Sequence, residues 1–228
     1  MIYVTGDIHS DISRINRKRH YYHWNENDVV IIAGDCGLLW GVKPTPKEIS
    51  LYNWLANQPF TTLFVDGNHE NFNRINALPV VEYMGGKAHK INDKFLHLMR
   101  GEIYNIQDKK IFTFGGGTSI DKNWRTPLIS WWPEEIFNEE ERQNAYNHLE
   151  KVNYEVDYVI THAGPKKVML NHPKHMKIYD VSCPVENFFD ELYDKIKFKY
   201  WFFGHYHYNY DDKLSKCYML YTQIVTLK

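Results

Sequence analysis

The sequence predicts an α/β fold, a β-sheet covered by helices. Two observations carry that expectation. Short apolar runs alternate with segments of helical spacing from Ile2 to Val65, the pattern of a sheet flanked by helices. Polar side chains then follow directly on the ends of those runs, where open α/β sheets place their ligands.

Ile2 to Thr5 reads as the first strand and ends at Gly6-Asp7. Asp11 is placed to cap a helix reaching about Trp24, because a short acceptor side chain satisfies the free N–H groups of a first turn. Asp28 to Ala33 is a strongly apolar strand that again ends in Gly-Asp. Residues 46–57 read as a helix, with Ile49, Leu51, Tyr52 and Leu55 near helical spacing. Thr61 to Val65 is a third strand, ending at Asp66-Gly67-Asn68-His69. Further on, Glu102 to Asn105 and Lys110 to Phe114 read as two strands joined by a turn at Gln107-Asp108-Lys109, and Gly115-Gly116-Gly117 as a loop. Pro133-Glu134-Glu135 is expected to open a helix running to about Val152, since proline suits the first helical turn and acids suit its positive end. Asp157 to Thr161 is a strand ending at His162, and Val185 to Ile196 a helix. Tyr200 to Phe203 is a strand ending at Gly204-His205, and Lys216 to Leu227 alternates like one or two strands. No repeat, low-complexity stretch or linker interrupts the chain, so residues 1–228 are expected to form a single domain.

The composition narrows the function classes. A hydrophobic fraction of 43% supplies a sizeable core. The 16% aromatic content reads as large rings in core and rim. A formal net charge of −1 argues against an extended nucleic-acid partner, which calls for a basic excess. The basic group Arg14, Arg17, Lys18 and Arg19 reads as a solvated helix face. Three cysteines, Cys36, Cys183 and Cys217, do not make a disulfide framework, so reduced thiols and a cytoplasmic location are expected. There is no apolar run long enough to span a membrane. The N-terminus lacks the basic region and long apolar stretch of a signal peptide.

Five strand ends carry metal-capable residues. They are Asp7 and His9 in Gly-Asp-Ile-His, Asp35 in Ala-Gly-Asp-Cys-Gly, and Asn68 and His69 in Gly-Asn-His-Glu. His162 in Thr-His-Ala-Gly-Pro, with His205 and His207 in Gly-His-Tyr-His, completes the set. On an extended segment, residues two apart point the same way, so Asp7 with His9, and His205 with His207, are each expected to face one ion. Each motif alone has a plain structural reading as a turn or a core histidine. The ordered combination in one chain does not. Its mixed His, Asp and Asn donors suit Mn, Fe, Zn, Co or Ni better than Mg or Ca.

With these motifs in this order, the chain resembles the calcineurin-like metallophosphoesterase family from Asp7 to His207. The resemblance implies a four-layer α/β/β/α double β-sandwich. It also implies two divalent metal ions, manganese first among the candidates, with Asp7, His9 and His207 on one, Asn68, His162 and His205 on the other, and Asp35 bridging both. The implied reaction is hydrolysis of a phosphate ester by a metal-bridging hydroxide, with His69 as the general acid facing the leaving group. A phosphomonoester, a phosphodiester and a dinucleoside polyphosphate all stay open as the small phosphorylated substrate. A non-catalytic metal-binding module on the same fold is the alternative.

One motif departs from the phosphoprotein phosphatase branch, which reads Gly-Asp-x-x-Asp-Arg-Gly. Here Leu38 stands in place of the Asp that orients the catalytic His, and Leu39 in place of the phosphate-binding Arg. Asp66 or Glu70 is the expected substitute for orienting His69. Arg125, Arg74 and Lys122 are candidate phosphate contacts. The stretch from Gly115 to Pro133, with Trp131 and Trp132, resembles a segment of bacterial and phage members. It reads either as an insert over the metal rim that shapes the substrate pocket or as a structural turn with both Trp side chains in the core. His20, His23, His89, His97, His148, His172 and His175 are expected on exposed loops, and Cys36 as a packed small residue.

Overall fold

A computed structural model describes residues 1–16, 23–170 and 184–228. Arg17, Lys18, Arg19, His20, His172, His175 and Cys183 lie outside the described residues. In chain order the elements are β1 (Ile2–Thr5), α1 (Ser13–Asn16), β2 (Val29–Ala33), α2 (Pro46–Ala56), β3 (Thr61–Val65), α3 (Phe72–Asn76), β4 (Val80–Tyr83), β5 (Gly86–Asn92), β6 (Phe95–Leu98) and β7 (Ile103–Ile106). They continue with β8 (Lys109–Phe114), α4 (Glu139–Lys151), β9 (Tyr158–Thr161), α5 (Lys166–Leu170), α6 (Pro184–Lys195), β10 (Tyr200–Phe203), β11 (Tyr210–Asp212), β12 (Cys217–Met219) and β13 (Ile224–Leu227).

The strands form two sheets, ordered β13-β1-β2-β3-β6-β5-β4 and β11-β12-β10-β9-β8-β7. The central strands are parallel in both, β1 with β2, β2 with β3 and β3 with β6 in the first, β8 with β9, β9 with β10 and β10 with β12 in the second. Strand alternation decides the layers. Ile2, Val4, Val29, Ile31, Leu63 and Val65 of the first sheet share one buried cluster with Ile111, Tyr158, Ile160 and Phe202 of the second. The opposite face of the first sheet, Tyr3, Val30, Ile32 and Phe64, packs with Leu51 and Leu55 of α2. The opposite face of the second, Phe112, Phe114, Val159, Trp201 and Phe203, packs with Ala145 and Leu149 of α4 and Phe188, Phe189 and Leu192 of α6. The result is the expected α/β/β/α arrangement of a double sandwich flanked by helices.

Several local expectations change. The helix expected from Asp11 is a single described turn, Ser13–Asn16, and Trp24 lies outside it, edge-on to Phe60 at 4.7 Å. Pro133–Glu135 forms a 3-10 turn, and α4 starts only at Glu139. The stronger start signal is Asn138, whose side chain accepts from the Glu141 N–H while Glu141 bonds back to the Asn138 N–H, a capping box that satisfies two free donors at once. The antiparallel strands β4, β5 and β6 were not legible, because Glu82, Lys87, His89, Lys90 and His97 break their apolar pattern. His89 and His97 are buried at 6% and 4% exposure, not on exposed loops, and the buried Asp66 carboxylate pairs with His97. Among the described residues no helix is long and apolar enough to cross a membrane.

Candidate metal centre

All five motif loops leave the carboxyl ends of parallel strands: β1, β2 and β3 in one sheet, β9 and β10 in the other. The loops are sewn together through backbone. The Asp35 carbonyl accepts from the N–H groups of Ile8 (3.2 Å) and His9 (2.9 Å), and Ser10 N–H donates to Cys36 O (3.1 Å). Asp7 accepts the His205 N–H through both carboxylate oxygens (3.1 and 3.0 Å). Asp35 Oδ1 accepts the His69 N–H at 3.0 Å.

The paired residues do not lie on extended segments. Asp7 and His9 lie beyond β1, as His205 and His207 lie beyond β10. His9, Asp35, His205 and His207 all have positive φ, at 45°, 47°, 70° and 52°. Left-handed turns, rather than strand alternation, bring these side chains to one place. Such conformations cost free energy in non-glycine residues and concentrate at functional sites. Two glycines make the close approach possible. A Cβ on Gly34, itself at φ 84°, would lie 2.0 Å from His162 Nδ1, and one on Gly67 would lie 2.1 Å from Asp35 Oδ1.

The side chains form two groups that meet at Asp35. Ligand atoms of Asp7, His9, Asp35 and His207 lie within 4.8 Å of one another. Within that group His9 Nε2 is 2.9 Å from His207 Nε2, and His207 Nε2 is 3.5 Å from Asp7 Oδ1. In the second group Asn68 Oδ1 is 3.0 Å from both His162 Nε2 and His205 Nδ1. Asp35 Oδ2 lies 3.8 Å from His9 Nε2 and 3.6 Å from His162 Nε2, between the groups. All seven residues expected as ligands are therefore brought together.

Their protonation chemistry fits a cation. His162 Nδ1 sits 2.9 Å from Ala33 O, which only accepts. The neutral ring then carries its proton on Nδ1 and turns a lone pair on Nε2 toward the Asn68 and Asp35 oxygens. Asn68 is oriented just as strictly. Its Nδ2 donates to Ser119 Oγ at 2.9 Å, and the Ser119 hydroxyl and N–H both donate to buried Glu135 (2.5 and 3.1 Å). The amide oxygen is thus left facing the histidines. With His162 neutral, its Nε2 lone pair opposes the Asn68 and Asp35 oxygens, an arrangement that a cation among them relieves. Burial holds the His9 imidazole below its ordinary pKa, and burial with His162 beside it lowers His205 to about 3. Both rings are thereby kept neutral, the form that binds metal. Burial pushes the Asp35 carboxyl up, with Asp7 adding to it. For Asp7, burial is outweighed by His207 and His162, and its carboxyl is held below the ordinary value. His162 is raised, because Asp35 and Asp7 overcome the effect of its burial.

Neither residue expected to orient His69 touches it. Glu70 accepts the backbone N–H groups of Cys36 (3.0 Å) and Gly67 (2.6 Å), fastening two motif loops. Asp66 is buried and accepts from His97 Nε2 (3.1 Å) and from Arg100 Nε and Nη2 (3.0 and 2.5 Å). His97 in turn meets His89, Nδ1 to Nδ1, at 3.0 Å. The group on His69 is Arg125, with Nη1 2.6 Å from Nδ1 and Nη2 3.1 Å from Nε2. Asp121 pairs with Arg125 Nη2 at 2.7 Å. Burial, then the Arg125 charge, lower the His69 pKa to about 4. The Gly115–Pro133 segment thus meets both expectations in part, since Arg125 reaches the rim while Trp132 is buried at 1% exposure. Arg74 is engaged elsewhere. Its guanidinium grips Glu48 (2.6 and 3.0 Å) and Gly41 O (3.0 Å). Lys122 is exposed on a 3-10 turn. Ser119, Glu135 and Arg100 were missed from sequence. Ser119 sits in the Gly115–Ser119 loop already singled out, and Glu135 looked like an acid at a helix start.

No curated protein compared with the chain matches it. The family model described as calcineurin-like phosphoesterase matches residues 1–209. With that match over nearly the whole length, and with the double sandwich and its cluster of Asp and His residues, the chain belongs to the calcineurin-like phosphoesterases, a family of metal-dependent hydrolases.

Proposed function

We propose that this protein hydrolyses a small phosphate ester, whether phosphomonoester, phosphodiester or dinucleoside polyphosphate, at a centre of two divalent metal ions, manganese first among the candidates. The observation that supports it is the meeting of two donor groups at Asp35, Oδ2 lying 3.8 Å from His9 and 3.6 Å from His162. Asp7, His9 and His207 would hold one ion, Asn68, His162 and His205 the other, and Asp35 both. When bound, such a pair supplies a hydroxide near neutral pH and polarises the phosphoryl oxygens. Arg125 offers a planar fork for those oxygens. A phosphoryl anion binds guanidinium more strongly than a neutral imidazole does, so substrate draws Arg125 off His69. Losing the Arg125 charge removes one of the causes that lower the His69 pKa, so His69, with Nε2 3.9 Å from Asp35 Oδ2, takes up a proton from water and passes it to the leaving oxygen, a step worth about 10²–10⁴-fold. We place the protein in the cytoplasm, in keeping with the free, buried thiols of Cys36 and Cys217.

The test is hydrolysis of p-nitrophenyl phosphate and bis-p-nitrophenyl phosphate with Mn²⁺, beside Asp35→Asn. Metal-dependent turnover lost in the variant supports the reading, and the preferred ester separates monoesterase from diesterase. A metal-loaded protein inert on both would pass the case to the binding-module alternative.

Two further outcomes are expected. Ser119→Ala releases the Asn68 amide, and metal affinity by titration calorimetry falls about 10–100-fold, the usual cost of removing a group that orients a ligand. An unchanged affinity would remove that role. Arg125→Ala lowers kcat/KM about 10–100-fold, the scale of a lost hydrogen bond to a charged group. Steady-state kinetics showing no change would exclude Arg125 as the phosphate contact.

A further inference from the structure

A cavity of about 310 Å³ opens beside His9, walled by Trp40, Thr45, Lys47, Ile129 and Ser130. Its size is at the lower end of small-molecule sites. Three observations mark it as a built subsite. The first is continuity with the reacting centre. The Trp40 ring lies 4.9 Å from the His69 ring and 5.6 Å from the His9 ring. Ser130, on the far wall, accepts from Arg125 through its carbonyl at 3.2 Å. The cavity therefore lies within reach of a group attached to a phosphoryl held at that centre.

The second observation is rigidity. Trp40 is only half-buried, yet the chain is pinned on both sides of it. Leu39, at φ 59°, accepts from the Asn71 N–H (2.7 Å) and donates to Glu48 (3.0 Å). Gly41 O accepts from Asn71 Nδ2 (3.2 Å) and Arg74 Nη1 (3.0 Å). The Glu48–Arg74 pair thus secures the backbone that carries the Trp40 ring. A partly exposed aromatic side chain on so fixed a backbone is prepared for stacking, since little freedom is lost on binding.

The third observation is chemistry. Ile129, 57% exposed, lines the cavity, and among the described residues no acidic one does, Lys47 being the one formal charge there. An apolar slot with one aromatic wall and a cation accepts a flat group that carries polar acceptors.

We propose that this cavity binds the nucleoside portion of a nucleotide ester, the base stacking on Trp40 against Ile129. The inference deepens the phosphoesterase reading and rests on it for the substrate's phosphate. Two measurements keep them apart. In the full-length protein without added metal, adenosine should shift the Trp40 indole N–H resonance, assigned through Trp40→Phe, and Ile129→Asp should abolish the shift. With Mn²⁺, kcat/KM for adenosine 5′-phosphate should exceed that for methyl riboside 5-phosphate, or the corresponding methyl diesters if only diesters turn over. A stacked base is worth about 5–150-fold, and Trp40→Ala should collapse that ratio toward one.

If adenosine leaves the Trp40 resonance unmoved and the two esters react alike, the subsite is overturned while the hydrolytic reading stands. If phenol moves Trp40 and adenosine does not, the occupant is a simple aryl group, which also overturns the proposal. If adenosine binds at Trp40 but no ester is hydrolysed, the nucleoside site stands and the hydrolytic reading fails.

Discussion

Asp35→Asn is expected to lower metal-dependent kcat/KM by at least about 10²–10³-fold, the range for removing one electrostatic stabiliser of a transition state. The substitution keeps the shape of the side chain and the acceptor for the His69 N–H, 3.0 Å away. What it removes is the negative charge between the two donor groups. Stability should respond differently. Asp35 and Asp7 are buried at 2% and 0% exposure in one cluster, and like charges so placed repel. Metal-free Asp35→Asn should therefore unfold at the same or a higher temperature than the parent. Calorimetry of both proteins, with and without Mn²⁺, checks this. A variant that is inactive but clearly less stable without metal would mean that Asp35 mainly supports the fold.

Arg100→Met is expected to cost about 3–5 kcal/mol, because it leaves a carboxylate buried without its partner. Arg100 and Asp66 have side chains 3% and 1% exposed and joined at 2.5 Å. Arg100 also reaches Glu141 (3.1 Å) and Glu134 O (2.8 Å), so it ties the end of β3 to α4 and to the turn before it. Burial works against the Asp66 carboxylate, but Arg100 and His97 hold its pKa far below the usual range. A depressed carboxyl contributes its stability above the unfolded value, about 3.9, and loses it as pH falls through the folded one. The loss in Arg100→Met should thus be full at pH 7 and shrink in strong acid. Urea denaturation measures it, and the double variant with Asp66→Asn should recover part of the loss. Equal damage in the single and double variants would show that packing, not the buried charge, sets the cost.

Much of this was legible in the sequence, and the reason is local. The strands β1, β2, β3, β9 and β10 are short runs rich in Val, Ile, Leu, Phe, Tyr and Trp, followed within a few residues by Gly-Asp, Gly-Asn, Gly-His or His. Apolar alternation and punctuation of that kind act over a few residues, so they can be read without the fold. The seven candidate donors followed from the order of those motifs in one chain, since each motif alone reads equally well as a turn or a core histidine.

Whatever depended on a partner distant in the chain was decided by tertiary structure. His89 and His97 look like solvated histidines until β5 and β6 pair and bring His97 to Asp66, 31 positions away. Asp66 seemed placed to orient His69, but the Arg100 charge claims it. Arg125 touches His69 across 56 positions, and Ser119 and Glu135 orient Asn68 from a loop and a turn. The sequence by itself determined the strands β1, β2, β3, β9 and β10 and named the residues proposed as donors. The burial of charges, and the partner each charge found, were set only when both sheets closed on one another, because the strength of an ionic contact depends on distance and on exclusion of water, and neither exists in an unfolded chain.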